Sequence, residues 1–303
     1  MKITNFKPIM LDYADRLTSG KNPYTDVYKL QNDRIFKMLK SPSSNGSMSL
    51  LSYREFYNRF CRKLEQAKNL GNLGCLATPD EISVSDTGRV KGYLYQFNSS
   101  KTLEELEINE QDFEFITKCF LAISSEIEKL HEHNIVVPDL ANFTNILYDP
   151  ITGKVSFLDY DGMQVGNIPT NCISKMIQYR NNPVLKNSKY IRPNGLYTPK
   201  IDELGLIVSY LYSLSGINIA SIDCFQQLYS SENDLEQFLF KRRSANEKLE
   251  SLGIDDEEIK DCLIDSFTSK ECKMDAHTLV KRFSDRFKHG ETKVDGTKTF
   301  VRR

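Results

Sequence analysis

Short runs rich in β-forming residues dominate the first third of the chain. "DVYKLQ" (26–31) and "RIFKMLK" (34–40) meet at "QNDR", a turn-type connection, which predicts a hairpin. A polar loop, "SPSSNGSMS" (41–49), follows. Tyr53, Phe56, Tyr57, Phe60, Leu64 and Ala67 then recur at three- and four-residue intervals, the mark of an amphipathic helix ending near Gly71. "EISVSDTGRVKGYLYQF" (81–97) predicts a second hairpin, turned at "DTG".

From about residue 103 the period becomes helical. Phe113, Ile116, Cys119, Phe120, Ile123, Ile127 and Leu130 form one stripe on a helix running to about His133. "NILYD" and "KVSFLDYDG" are two short strands joined by the turn "PITG". The stretch 163–200 has no clean period and reads as a long surface loop. "DELGLIVSYLYSLSG" (202–216) is an apolar helix, and further helices run to about residue 288. The polar, basic end, "GETKVDGTKTFVRR", reads as a frayed tail. The order predicts an α+β protein: a small lobe of antiparallel β-sheet with one helix (1–97), a larger, mainly helical lobe (98–289) and a flexible tail (290–303).

The two strands at 145–160 change the picture, because they carry chemistry at their ends. Asn145 just before the first and Asp159 at the end of the second offer an amide oxygen and a carboxylate, hard donors suited to Mg²⁺. Asp139, a few residues upstream, is placed to accept a proton from an attacking hydroxyl. Taken singly, each is more often an Asx-turn former. Three in this arrangement, after a long amphipathic helix, point to a site.

At these residues the sequence resembles the protein kinase superfamily. "IVVPDLANFTNIL" resembles its catalytic loop, normally HRDLxxxN, and "FLDYDG" resembles its metal-binding DFG segment. "GKNPYTDVYKL" stands where the family has its glycine loop, with Gly20 in the first glycine slot and Val27 in the valine slot. Lys37 matches the strand lysine that contacts the α/β-phosphates, and Ile35 stands where a small residue normally roofs adenine. Tyr95 takes the gatekeeper slot, and the backbone of Gln96, Phe97 and Asn98 is the hinge expected to face adenine. Glu65, with Glu55 as its rival, is the expected carboxylate partner of Lys37. Asp202 takes the anchoring slot of the family's DxWSxG helix. The resemblance covers most of residues 15–285. It implies a bilobal kinase-like fold and transfer of the γ-phosphate of ATP, with Mg²⁺, to a protein Ser or Thr hydroxyl.

Departures from the family pattern are specific. Val137 and Pro138 replace the His-Arg before the catalytic Asp, removing the usual receptor for an activation-loop phosphate. Asn145 follows Asp139 by six residues where the family has five, leaving Asn142 as the alternative ligand. Asp161 takes the glycine slot of the DFG-like segment, and Asn22 and Thr25 take glycine slots of the phosphate loop. Two other readings stand beside the protein kinase: a pseudokinase used as a binding or scaffolding module, and a small-molecule phosphotransferase resembling the aminoglycoside and choline kinases.

Composition adds mainly exclusions. At 303 residues, 40% hydrophobic and 27% charged, with a formal net charge of -1, the chain has the make-up of an ordinary globular protein. That balance gives no bulk electrostatic support for binding nucleic acid. No apolar run approaches the ~20 residues of a membrane span. The N-terminus lacks a signal-peptide core, so a cytoplasmic location is expected. Seven Cys without a CxxC pair read as reduced thiols rather than disulfides or a zinc site.

Overall fold

The computed structural model describes residues 1–5, 15–17, 25–31, 33–40, 50–70, 73–170, 172, 183–292 and 296–303. The chain is mixed α+β and divides into two compact units. One comprises Met1–Ser100 with Ser156–Asp161, and the other Lys101–Val155 with Gly162–Arg303.

The first unit holds β1 (Lys2–Asn5), β2 (Asp15–Arg16), β3 (Thr25–Leu30), β4 (Arg34–Leu39), α1 (Leu50–Leu70), β5 (Glu81–Val84) and β6 (Val90–Gln96). The six strands form one sheet in the order β1-β5-β6-β4-β3-β2. All neighbours are antiparallel except β1 and β5, which run parallel. The sheet is therefore mixed, where an antiparallel one was expected. Four largely exposed residues with no buried alternation form β1, so no periodic signal marks it.

Alternation along β4 separates two apolar faces. Ile35 and Leu39 point to one, where they pack with Ile82, Tyr93 and Tyr95 beneath Phe60 and Leu64 of α1. Phe36 points to the other, with Leu30 and Leu94. Burying each large side chain of this kind stabilises by roughly 1.5–3 kcal/mol, so α1 is held by its inward stripe rather than by propensity.

Two glycines shape these strands. Gly88, at φ +75°, takes the left-handed turn position between β5 and β6. Gly92 pairs with Met38, and a Cβ there would lie 2.2 Å from the Lys37 carbonyl oxygen. Only glycine lets β6 approach β4 at that point.

The chain returns to this unit after residue 155. Phe157 N–H donates to the Cys75 carbonyl at 2.7 Å, and Ala77 N–H donates to the Phe157 carbonyl at 2.9 Å. Tyr160 is fully buried, with its hydroxyl donating to the Lys63 carbonyl at 3.0 Å.

The second unit begins with β7 (Lys101–Thr102) and α2 (Phe113–Glu132). Asp112 caps α2, its carboxylate accepting the Phe115 N–H at 2.7 Å. Then follow β8 (Ile135–Val136), β9 (Ile146–Tyr148), β10 (Val155–Phe157, which crosses the unit boundary) and β11 (Gln164–Val165). β11 pairs antiparallel with β8. The helices α3 (Lys200–Ser215), α4 (Asp223–Ser231), α5 (Leu235–Ser251), α6 (Glu257–Asp265) and α7 (Ala276–Arg286) follow, and β12 (Phe287–Thr292) and β13 (Lys298–Arg302) end the chain. α3 is buried nearly all round. Its Tyr210 ring lies 5.4 Å from Phe120 of α2 and 5.7 Å from Phe283 of α7.

Two expectations change here. The end of the chain is not a frayed tail: β13 pairs with β12, and Phe300 is 4% exposed with its ring 4.8 Å from Phe283. One apolar pair in a polar run was too sparse a pattern to mark a strand. Residues 163–200 are not a surface loop where they are described. Met163, Val165, Ile168, Val184, Tyr190 and Leu196 are buried, in a stretch of short strand and turns with no repeating period. Residues 171 and 173–182 of that stretch lie outside the described residues. Among the described residues no helix is long and apolar enough to cross a membrane.

Candidate functional site

In the first unit, the alternation of β4 turns Lys37 to the face that carries Ile35 and Leu39. Across the sheet its backbone pairs with Val27 on one side and Tyr93 on the other. Its side chain is 5% exposed and forms ion pairs with both Asp159 and Asp161, the latter at 2.6 Å. Tyr93 OH donates to the same Asp161 oxygen at 2.8 Å. From α1, Lys63 Nζ donates to the Asp161 carbonyl at 2.6 Å. Asp159 sits at φ 64°, a left-handed position that Asp tolerates better than most residues. The residues 160–162 continue as a 3-10 turn, which brings the second carboxylate back onto Lys37.

The electrostatics are those of a balanced buried cluster. Burial disfavours the Lys37 ammonium, but Asp159 and Asp161 outweigh it and hold its pKa above the ordinary lysine value. Burial likewise pushes Asp161 upward, and the Lys37 charge, with hydrogen bonds from Lys37 and Tyr93, brings it below the ordinary carboxylate range. Tyr93 is pushed well up by burial and by the adjacent Asp161 charge, so its hydroxyl stays a donor.

Glu65, the expected partner of Lys37, is exposed, as is Glu55. The carboxylates on Lys37 come instead from the 159–161 segment. On α1 the inward stripe is Phe60, Lys63, Leu64 and Ala67, so the polar group facing the cluster is a lysine. Glu65 lies one residue, about 100° of helix, off that stripe.

The residues assigned to adenine divide. Ile35 and Tyr95 are core residues, 4% and 8% exposed, paired across β4 and β6, and Val27 packs against their cluster. Phe97 N–H, expected to face adenine, donates to the Asp33 carbonyl at 2.9 Å, and the Gln96 side chain donates to that same oxygen. The Asn98 amide donates to Ser156 Oγ at 3.0 Å. Gly20 lies outside the described residues.

The second unit carries Asp139 and Asn145. Asp139 is half-buried, and the Asn142 amide donates to its carboxylate at 3.1 Å. Asn145 ends a 3-10 turn, Phe143–Asn145, and its N–H donates to the Asn142 carbonyl at 2.9 Å. The Asn142 side-chain oxygen accepts from Thr144 at 2.7 Å, so of the two candidate asparagines it is Asn142 whose oxygen is already engaged.

Beneath this loop, Asp202 of α3 is wholly buried. Its Oδ2 accepts the Val137 N–H at 2.8 Å and His131 Nε2 at 2.8 Å, while Oδ1 has no hydrogen-bond partner among the described residues. The backbone two residues before Asp139 is thereby tied to the buried helix. Burial raises the Asp202 pKa, with His131 and Val137 opposing that rise.

Three residues of these clusters were not singled out in the sequence. Lys63 stands at an inward position of the α1 stripe, Tyr93 one alternation before Tyr95, and His131 one turn after Ile127. In each case the periodicity carried the signal, a polar residue on a buried face. Comparison with family models and with curated proteins finds no match for this chain.

Proposed function

We propose that this chain is an ATP- and Mg²⁺-dependent phosphotransferase of bilobal, protein-kinase-like fold, acting on a Ser or Thr hydroxyl of a protein. The observation that carries the reading is Lys37: a strand lysine held charged and buried against the two carboxylates of the segment that resembles DFG. The tie from Val137 N–H to Asp202 supports it independently, since the resemblance assigns Asp202 to anchoring the catalytic loop.

The donors suit the ligands. Asp159 is 30% exposed on its side chain and offers the hard carboxylate oxygens that Mg²⁺ prefers, and Asn145 is the second ligand that the resemblance implies. Bound Mg²⁺ would neutralise phosphate charge. The chain's own part is positioning: Lys37 presents a fixed ammonium to the phosphates, and Asp139 orients the acceptor hydroxyl and takes its proton. Asp202 keeps the backbone before Asp139 in place.

One observation favours the pseudokinase reading. Lys37 is already closed on two carboxylates, and the Phe97 N–H is already spent on Asp33. A nucleotide must displace part of that pairing before it binds productively.

The test is incubation with γ-labelled ATP and Mg²⁺ and a generic protein substrate. Label should reach that substrate or the chain itself, and the signal should vanish in Asp139→Ala and Asp159→Asn. Label passing only to small metabolites would replace the protein acceptor with a small molecule.

A further inference from the structure

A cluster in the second unit takes no part in this chemistry. Cys272 lies between α6 and α7, half-buried, beside the buried Cys262 of α6. Its sulfur is 3.2 Å from Ser266 Oγ, 3.9 Å from Lys189 Nζ and 3.5 Å from the Cys262 carbonyl oxygen. Lys189 is fixed in place, because its ammonium also donates to the carbonyls of Asp265 at 3.1 Å and Lys270 at 2.5 Å. The Cys262 thiol donates to the Met274 carbonyl at 3.6 Å.

We propose that Cys272 and Cys262 form a peroxide-reactive dithiol, with Cys272 the attacking thiolate and Cys262 the resolving thiol, closing to a reversible disulfide. Cys272 has what an attacking sulfur needs: partial access to solvent and a fixed cation, the Lys189 ammonium 3.9 Å away. The adjacent Cys262 thiol comes first in bringing its pKa down to about 6; burial opposes this, and Ser266 and Lys189 reinforce it. Cys262 shows the converse: the neighbouring Cys272, then burial, hold its thiol protonated.

The chemistry balances with hydrogen peroxide as the named oxidant. The Cys272 thiolate attacks one peroxide oxygen, the O–O bond breaks, and the departing hydroxide takes a proton to leave as water. Cys262 sulfur then attacks the resulting sulfenic sulfur. The S–O bond breaks, the thiol proton leaves with that oxygen as a second water, and the S–S bond forms. The two thiols lose two electrons and one peroxide becomes two waters. A thiol reductant reverses the step by exchange.

The experiment uses the full chain. At pH 7, brief iodoacetamide labelling followed by peptide mapping should find Cys272 modified about tenfold faster than the exposed Cys172, because its thiolate is already formed. Lys189→Met should slow Cys272 and leave Cys172 unchanged. After peroxide, mapping should find a Cys262–Cys272 cross-link that dithiothreitol removes. In Cys262→Ser, dimedone should instead trap a sulfenic acid on Cys272. Equal labelling of Cys272 and Cys172, or a peroxide-treated chain with no such cross-link, would overturn the proposal. The wild-type mapping decides the matter even if a variant fails to fold.

Discussion

The two buried carboxylate clusters solve opposite problems. Around Lys37, two acids meet two lysines: Asp159 and Asp161 lie on Lys37, and Lys63 holds the Asp161 backbone. Around Asp202, one wholly buried acid has a histidine, one backbone N–H and an oxygen with no partner among the described residues. The first cluster holds its charges on: the lysine pKa is raised and that of Asp161 lowered. In the second, burial outweighs the partners and the carboxyl pKa rises. Full pairing makes a charge permanent at a cost in desolvation, whereas partial pairing makes a backbone anchor whose charge is costly. On the proposed reading, the first serves phosphate contact and the second holds a loop.

Substitutions sharpen this contrast. The largest effect should come from Lys37→Met, which leaves two carboxylates without their cation and should destabilise by about 3–5 kcal/mol in urea titration. Adding Asp161→Asn to it should cost less than the sum of the single changes, because the two residues share one network. Asp202→Ala should cost about 1–3 kcal/mol, since the Val137 N–H is then left buried without an acceptor. A loss as large as that of Lys37→Met would erase the distinction between the clusters. Gly92→Ala drives a methyl into the Lys37 carbonyl and should cost about 1–3 kcal/mol, read as a lowered urea midpoint.

Acid titration separates the clusters by sign. Asp161, lowered when folded, contributes stability above the ordinary carboxylate value of about 4, and that contribution is lost as pH falls through its lower folded pKa. Asp202, raised when folded, costs stability as pH climbs past that ordinary value. Asp161→Asn should therefore flatten the acid limb of the stability curve, while Asp202→Asn should remove a penalty at neutral pH. The smallest effect belongs to Glu65→Ala, an exposed change worth under about 0.5 kcal/mol.

Much of this was legible in the chain itself. The stripes of α1 and α2 and the two hairpins of the first sheet follow from regular periods, and the 3.6-residue repeat placed α2 to within a residue or two. Asp139, Asn145, Asp159 and Lys37 stood out through their resemblance to a known pattern. What stayed hidden depends on context. Glu65 and Lys63 sit two residues apart on one helix, and only the buried face decides which turns inward. The glycine slot held by Asp161 reads as a defect in sequence, yet in the structure that residue is the second acid on Lys37. β1 and β13 escaped notice because their partners, β5 and β12, supply the order that their own patterns lack.

The most direct measurement is labelled-phosphate transfer by the wild type, Asp159→Asn and Glu65→Ala, assayed together with Mg²⁺. Transfer by the wild type, its loss of at least about 100-fold in Asp159→Asn and its retention in Glu65→Ala are the expected results. A wild-type chain that Mg-ATP stabilises against heat, yet that transfers phosphate to nothing, would contradict the account.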